Sequence, residues 1–333
     1  MIELIQTGPQ ASIQDLGRCG YLAQGVGSAG AMDKVALELA NRMLGNIPKA
    51  AAVEFTYGGF DLLCHGDVTI ALTGADCGVR LNGRPVSGWT RLSLLAGDRL
   101  SAGMARRGMR AYLAVSGGIR VPAVLGSAST DMKGGFGGLH GRALEAGDRL
   151  EAGDRLEADR EGPGKEGSGE FALDPALLSG FYDASYPPET PIRFLPATEY
   201  DLFTDEAHIA FQTDTWEIQP DSNRIGYRLS GPVLKTRERL ELFSHGILPG
   251  TIQVPPSGQP VIQLADANTC GGYPKFGAVI GADLWRIGQS RLGERLRFTA
   301  VTREEALAAR REAAEATTAF HARLADDIRI LGV

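Results

Sequence analysis

Forty-four glycines spread through 333 residues, beside short runs of Val, Ile and Leu, constrain this chain more than any other feature. Glycine punctuates tight turns, and brief apolar runs between turns read as strands, so the pattern predicts a mainly β protein with few helices. Candidate strands are "MIELIQ", "AAVEFTYGG", "FDLLC", "DVTIALTG", "TRLSLLAGDRL" and "MRAYLAVSGG" in the first half. In the second half they are "PIRFLP", "TWEIQP", "GTIQVPP", "QPVIQLAD", "FGAVIG" and "ERLRFTAV". Residues 67–72 alternate apolar and polar, whereas the run around Val261 reads as buried on both faces.

Only two segments read clearly as helix. In "DKVALELANRML", Asp33 stands at the N-cap, Val35, Leu39 and Met43 recur every fourth residue, and Gly45 follows as a stop. In the tail, Thr302 and Glu305 have capping-box spacing ahead of an Ala-, Glu- and Arg-rich stretch. That tail is weakly apolar and is expected on the surface. The length favours two domains. The expected order is a β domain over 1–145, a linker with a charged, Gly-rich insertion over 146–188, a second β domain over 189–301 and a helix over 302–333. The linker contains a tandem duplication of "EAGDRL", read as slippage in a tolerated loop. "AGDRL" also occurs at 96–100 and "LGERL" at 292–296, each entering a predicted strand, which hints at two related β domains.

A net charge of -6 and a pI near 5.5 leave no basic stripe for a phosphate backbone, so nucleic acid is not an expected partner. Cys19, Cys64, Cys77 and Cys270 form no CxxC pair, and the five histidines show no HxxxH or HExxH spacing, so neither a zinc site nor a disulfide framework is expected. With no long apolar run and no leader-like start, a cytoplasmic protein without a membrane span is expected. Gly25, Gly27 and Gly30 have dinucleotide-loop spacing, but "LGRCGYLAQ" ahead of them is no buried strand, so a Rossmann site is rejected.

"SIQDLGRCGYLAQGVGSAGAMD" at 12–33, "VLGSASTDMKGGFGGLHGRAL" at 124–144 and "SNRIGYRLSGP" at 222–232 resemble the carboxyltransferase domain of biotin-dependent urea carboxylase, also called allophanate hydrolase subunit 2. Free-standing members of that family include the C component of the ATP-dependent 5-oxoprolinase and the KipA antagonist of a sporulation-kinase inhibitor. The resemblance runs from residue 1 to about 305. It implies two cyclophilin-like β-barrel domains and partnership with B-type and A-type 5-oxoprolinase subunits. The implied reaction opens 5-oxoproline to L-glutamate with ATP hydrolysis. The alternatives are a carboxyltransferase component served by biotin on another chain, or a non-catalytic KipA-like regulator of a B-type partner. Asn268, Cys270 and Ala128 depart from the Gln, Thr and Arg usual in the family.

Opening an amide needs anion binders and an acid or base. Asp266 and Lys275, flanking the glycine pair of "LADANTCGGYPKFG", are the candidate catalytic pair, or else a structural salt bridge. Asn223, Arg224 and Arg228 suit carboxylate or amide recognition. In a strand, Arg224 and Arg228 would face away from Asn223 and Tyr227. Tyr273, Gln14 and Asp15 complete the substrate-binding candidates, although Asp15 serves equally as a turn residue. Lys133, Gly134 and Gly135 could form an anion nest or a hinge, though not a Walker loop. No pattern ties Cys270 to a histidine, and Trp89, Trp216 and Trp285 are expected in the core.

Overall fold

The computed structural model describes residues 1–153, 171–173 and 190–330. The chain is mainly β, as expected, and divides into two compact units. One comprises Met1–Arg18, Asp33–Ser185 and Glu315–Val333; the other comprises Cys19–Met32 and Tyr186–Ala314. The units therefore do not follow the expected contiguous boundaries. The "GVGSAG" segment groups with the second unit, and the C-terminal helix Arg303–Ile330 contributes residues to both.

The first unit holds two six-stranded sheets. Ile2, Leu4 and Leu62 from one, with Ile13, Val53, Phe55, Ile70, Leu92 and Leu113 from the other, join in one apolar core. The Phe55 and Phe60 rings stack within it at 4.2 Å. The central strands Val68–Asp76 and Arg107–Val115 are buried along most of their length, beyond what alternation at 67–72 predicts. The reason is helix Lys34–Met43, which packs on both, with Thr73 Oγ1 donating to the Ala36 carbonyl at 2.8 Å. Asp33 caps that helix by accepting from Ala36 N–H at 3.0 Å, and Gly45 follows at φ 72°.

The second unit is built on an eight-stranded sheet. Phe211 anchors its core, edge-on to Phe194 at 5.1 Å and stacked on Phe298 at 4.6 Å, while the Trp216 indole donates to the Phe211 carbonyl at 3.2 Å. Helices Asp205–Thr213 and Leu284–Gln289 add to the two expected ones. The first of these carries a legible start, since Thr204 Oγ1 accepts from Ala207 N–H at 3.3 Å. The C-terminal helix begins with the expected capping box. Glu305 N–H donates to Thr302 Oγ1 at 3.2 Å and Thr302 N–H to Glu305 Oε2 at 2.7 Å. Trp89 and Trp216 are buried, whereas Trp285 is half-buried.

The recurring "GDRL/GERL" string is one turn used three times. Leu95, Glu145 and Arg291 donate their N–H groups to Asp98, Asp148 and Glu294 carboxylates three residues on, at 2.8, 2.8 and 2.9 Å. The glycine before each acid has φ of 93°, 93° and 82°, the left-handed region that side chains resist. The first "EAGDRL" copy is thus structural, and Arg149–Leu150 pairs with Ile2 and Glu3. Ala152 bridges Ile119, so residues 146–153 are integral to the first unit rather than linker. Phe171–Ala172 pairs with Thr90 and Arg91. The rest of the expected linker lies outside the described residues.

Candidate functional site

Four neighbouring strands of the second unit's sheet build the site: Gly226–Ser230, Val261–Gln263, Thr251–Gln253 and Lys275–Val279. Across them Arg228 opposes Val261, Val261 opposes Gln253, and Gln253 opposes Lys275. Directly opposed residues share a face. Arg228, Val261, Gln253 and Lys275 therefore lie together, joined by Gln263 two positions along. Tyr227, Ile262 and Ile252 occupy the opposite face and are fully buried. The run around Val261 is buried on both faces as expected, apart from half-buried Val261 itself, but one face is polar and borders a cavity of about 230 Å³. Its lining includes Asn223, Arg228, Gln253, Gln263, Asn268 and Tyr273.

Within that lining Gln263 Nε2 donates to Gln253 Oε1 at 2.9 Å. Both side chains are buried, and among the described residues Gln253 Nε2 and Gln263 Oε1 have no hydrogen-bond partner. Gly271 makes room here. A Cβ on it would stand 2.8 Å from Gln253 Nε2 and 2.7 Å from Ile247 Cδ1. One on Gly272 would stand 2.9 Å from the Leu242 carbonyl oxygen, so the glycine pair of "CGG" serves close approach of neighbouring segments.

Lys275 is buried on the same face, and its Nζ contacts Nε2 of His245. That nitrogen is also 3.0 Å from Glu199 Oε1, while Nδ1 is 3.0 Å from the Phe243 carbonyl oxygen. An imidazole nitrogen either donates or accepts. The Phe243 carbonyl can only accept, so Nδ1 donates to it; in the neutral ring Nε2 then accepts from the Lys275 ammonium, whereas a doubly protonated ring turns Nε2–H to Glu199. Burial lowers the Lys275 pKa, opposed by the charge of Glu199. Glu199 Oε2 is buried with no hydrogen-bond partner among the described residues, so the carboxylate is underbonded. The three groups form one polar cluster, in which burial eases loss of the Lys275 proton and the Glu199 charge opposes it.

The expected Asp266–Lys275 pair is not formed. Asp266 instead accepts from Arg224 Nε at 2.8 Å and Nη2 at 2.9 Å, and both residues are buried. Arg224 Nη2 also donates to the Gly30 carbonyl at 2.7 Å, tying "GVGSAG" to the turn after Val261–Gln263. No strand leads directly into those glycines, only the short turn Leu22–Gln24, in keeping with rejection of a dinucleotide loop. Arg224 precedes strand Gly226–Ser230, so the strand rule does not govern it or Asn223. Tyr227 and Arg228, within the strand, do point oppositely.

The first-unit candidates fall elsewhere. Asp15 accepts from Gly17 N–H at 2.7 Å, Ala128 N–H at 2.7 Å, and the Ser127 and Ser129 hydroxyls at 2.6 and 2.5 Å. Both its oxygens are engaged in holding two loops, the turn-forming alternative. Gln14 is buried and donates to Ser12 Oγ at 2.9 Å. In the Lys133 loop, Gly134 N–H donates to Asp131 Oδ1, and Gly135 and Phe136 N–H groups to the Asp131 carbonyl, at 2.8, 2.8 and 3.3 Å. These donors turn inward, so the loop does not fit a phosphate. Of the expected candidates, Asn223, Arg228 and Tyr273 line the cavity and Lys275 contacts His245; Gln253, Gln263, His245 and Glu199, which the fold brings to this neighbourhood, were not among the candidates. Pairing of His245 with Gly271 and of Gly246 with Cys270 brings His245 to the motif, a contact no local pattern announces.

No described helix is long and apolar enough to cross a membrane. The chain is 42% identical over 313 residues to the C component of 5-oxoprolinase from Escherichia coli (strain K12), covering 94% of this chain and 95% of that protein. It is 39% identical to the C component of 5-oxoprolinase from Haemophilus influenzae, over 94% of this chain and 95% of that protein. The crystal structure of the K. lactis urea amidolyase superposes with a TM-score of 0.84 at 31% identity, over 96% of this chain and 20% of the larger one. The carboxyltransferase domain, subdomains A and B, matches residues 24–300, and the chain belongs to that family.

Proposed function

We infer that this chain is the C component of a cytoplasmic, ATP-dependent 5-oxoprolinase, one part of an enzyme that opens 5-oxoproline to L-glutamate. The observation that carries this reading is the length match in both directions to proteins of that name, 94% of this chain and 95% of the relative. The site supports it chemically. Lys275, buried beside His245 and Glu199, is placed to take a proton, and the neighbouring cavity offers amide and cationic side chains to a small polar ligand. We assign proton transfer to Lys275. Asp266 acts indirectly, holding the 264–277 segment through Arg224. ATP is not assigned to the Lys133 loop, whose donors bind Asp131; B-type and A-type subunits complete the enzyme. Co-expression of the three chains should yield an assembly that releases glutamate only when both ATP and 5-oxoproline are present. A complete assembly releasing none would end this reading.

The superposition on urea amidolyase favours a second reading, a carboxyltransferase half acting with carboxybiotin on another chain. It requires turnover that depends on a biotinylated partner. Tight association with a B-type partner but no turnover would instead mark a KipA-like regulator.

A further inference from the structure

We propose that Glu199 and His245 are positioning residues for Lys275, and that His245 Nε2 shares one proton with the Lys275 amine, which becomes a neutral base when that proton passes to the ring. The catalytic use of the amine rests on the 5-oxoprolinase reading; the shared proton rests on the three side chains alone. With Nδ1–H held by the Phe243 carbonyl at 3.0 Å, a mobile proton has one place on the imidazole, Nε2. That nitrogen meets two partners of opposite kind, Lys275 Nζ and, at 3.0 Å, Glu199 Oε1. The remaining charged groups on the surrounding elements are engaged elsewhere or exposed. Arg239 and Glu241, on the segment that carries His245, pair with each other at 3.5 Å, and Arg237 pairs with Asp205 at 2.6 Å. Arg193, on the strand beside Lys275–Val279, is held by Asp283 at 2.6 Å. Asp201 and Glu238 are exposed, and Cys270 stands opposite Gly246 rather than His245.

Charge decides how many protons the cluster holds. Glu199 supplies a carboxylate whose second oxygen is buried and without a hydrogen-bond partner among the described residues. One proton on the Lys275–His245 pair, beyond Nδ1–H, balances that charge. Two leave a net positive charge and none a net negative one, and a charge left uncompensated beside a buried group is costly. Two placements of the single proton are neutral overall. In the first, the Lys275 ammonium donates to Nε2 of a neutral ring. In the second, one N–H bond of the ammonium breaks and an Nε2–H bond forms, so the imidazolium faces Glu199 and Lys275 keeps a lone pair. Intrinsic basicity favours the first, since a free lysine holds its proton about four pH units more tightly than a free histidine. Burial of Lys275 acts against the ammonium and narrows that gap. Lys275 is only 7% exposed, whereas the His245 side chain is 42% exposed, so the ring is the member of the pair that exchanges its proton with water.

The test uses the full chain by itself and two measurements. One is 15N NMR of the imidazoles, in which His245 is the signal lost in His245→Gln. The other is the pH dependence of Lys275 acetylation in a short pulse of acetic anhydride, read by peptide mass spectrometry. Only a neutral amine reacts, and midpoints against pH are compared rather than yields, so access of the reagent does not enter. In wild type Nδ1 should be protonated and the Nε2 shift should lie between the bare and protonated values. In Glu199→Gln, which keeps the size and removes the charge, Nε2 should move toward the bare value. The acetylation midpoint should fall there by about 1 pH unit or more, because a nearby opposite charge favours the ammonium by that order. In the assembled enzyme the rising limb of kcat against pH should shift by the same amount, which a merely structural role would not produce. A bare Nδ1, or an Nε2 shift unchanged in both Glu199→Gln and Lys275→Met, would overturn the proposal. So would an acetylation midpoint that stays or rises in Glu199→Gln, or a kcat limb that stays in place while the midpoint moves. Failure of the parent reading looks different: the wild-type assembly would release no glutamate while the shifts in the isolated chain stand.

Discussion

Replacing Asp266 by Ala tests the most consequential reassignment, from catalytic acid to the anchor of a buried ion pair. Arg224 and Asp266 are 2% and 8% exposed, and the guanidinium makes two bonds to the carboxylate at 2.8 and 2.9 Å. Removing the carboxylate strands a cation from which water is excluded, and breaking such a pair costs about 3–5 kcal/mol. For a unit of this size, about 1 kcal/mol moves the melting temperature by roughly 2–4 °C, so the second unit's transition should fall by about 6–20 °C in scanning calorimetry. The double substitution Arg224→Met with Asp266→Leu removes both charges and fills the space, and should recover most of that loss. The cycle separates a stranded charge from lost packing. A fall of less than about 2 °C for Asp266→Ala would refute the reasoning, since a solvent-exposed pair contributes only about 0–1 kcal/mol.

Other expectations follow from the same geometry. Because the folded state lowers the Lys275 pKa, native protein releases this proton before unfolded chain does, so between the lowered pKa and the ordinary value near about 10.4 its contribution to stability rises with pH. Urea midpoints from pH 7 to 10 should show that rise in wild type, and Lys275→Met should lack it. In the assembled enzyme, Lys275→Arg keeps the charge but cannot supply a neutral amine, and kcat should fall by about a hundredfold or more. Thr302→Ala removes the acceptor of the capping box and should cost about 1 kcal/mol, read as a lower midpoint with loss of helical signal. Gly97→Ala places a side chain at φ 93° and should cost more than about 1 kcal/mol in the first unit, whereas the same change at Gly66, which has open space, should cost less.

The class of fold was legible in the chain alone, because local physics carries it. Glycine at positive φ with an acid one residue later closes a turn wherever it occurs, and the strings at 95–98, 145–148 and 291–294 do so in both units. Asp33, and Thr302 with Glu305, cap helices through neighbours at most three residues away, which is why both helix starts were readable. Asn223, Arg228 and Tyr273 also stood out as binding candidates, since polar side chains beside strand and turn signals need little context.

Which of those side chains meet was left to the folded sheet. Lys275 was expected with Asp266, nine residues away, yet it finds His245 thirty residues back, while Asp266 finds Arg224 forty-two residues back. The glutamine pair was invisible because its meaning lies in cross-strand register and in one hydrogen bond that leaves two atoms unmet. Asp15, a substrate-binding candidate that served equally as a turn residue, is surrounded by four donors that hold it in the turn. A side chain's chemistry is written in its own atoms, but whether that chemistry is satisfied or available depends on partners that only tertiary packing brings within about 3 Å.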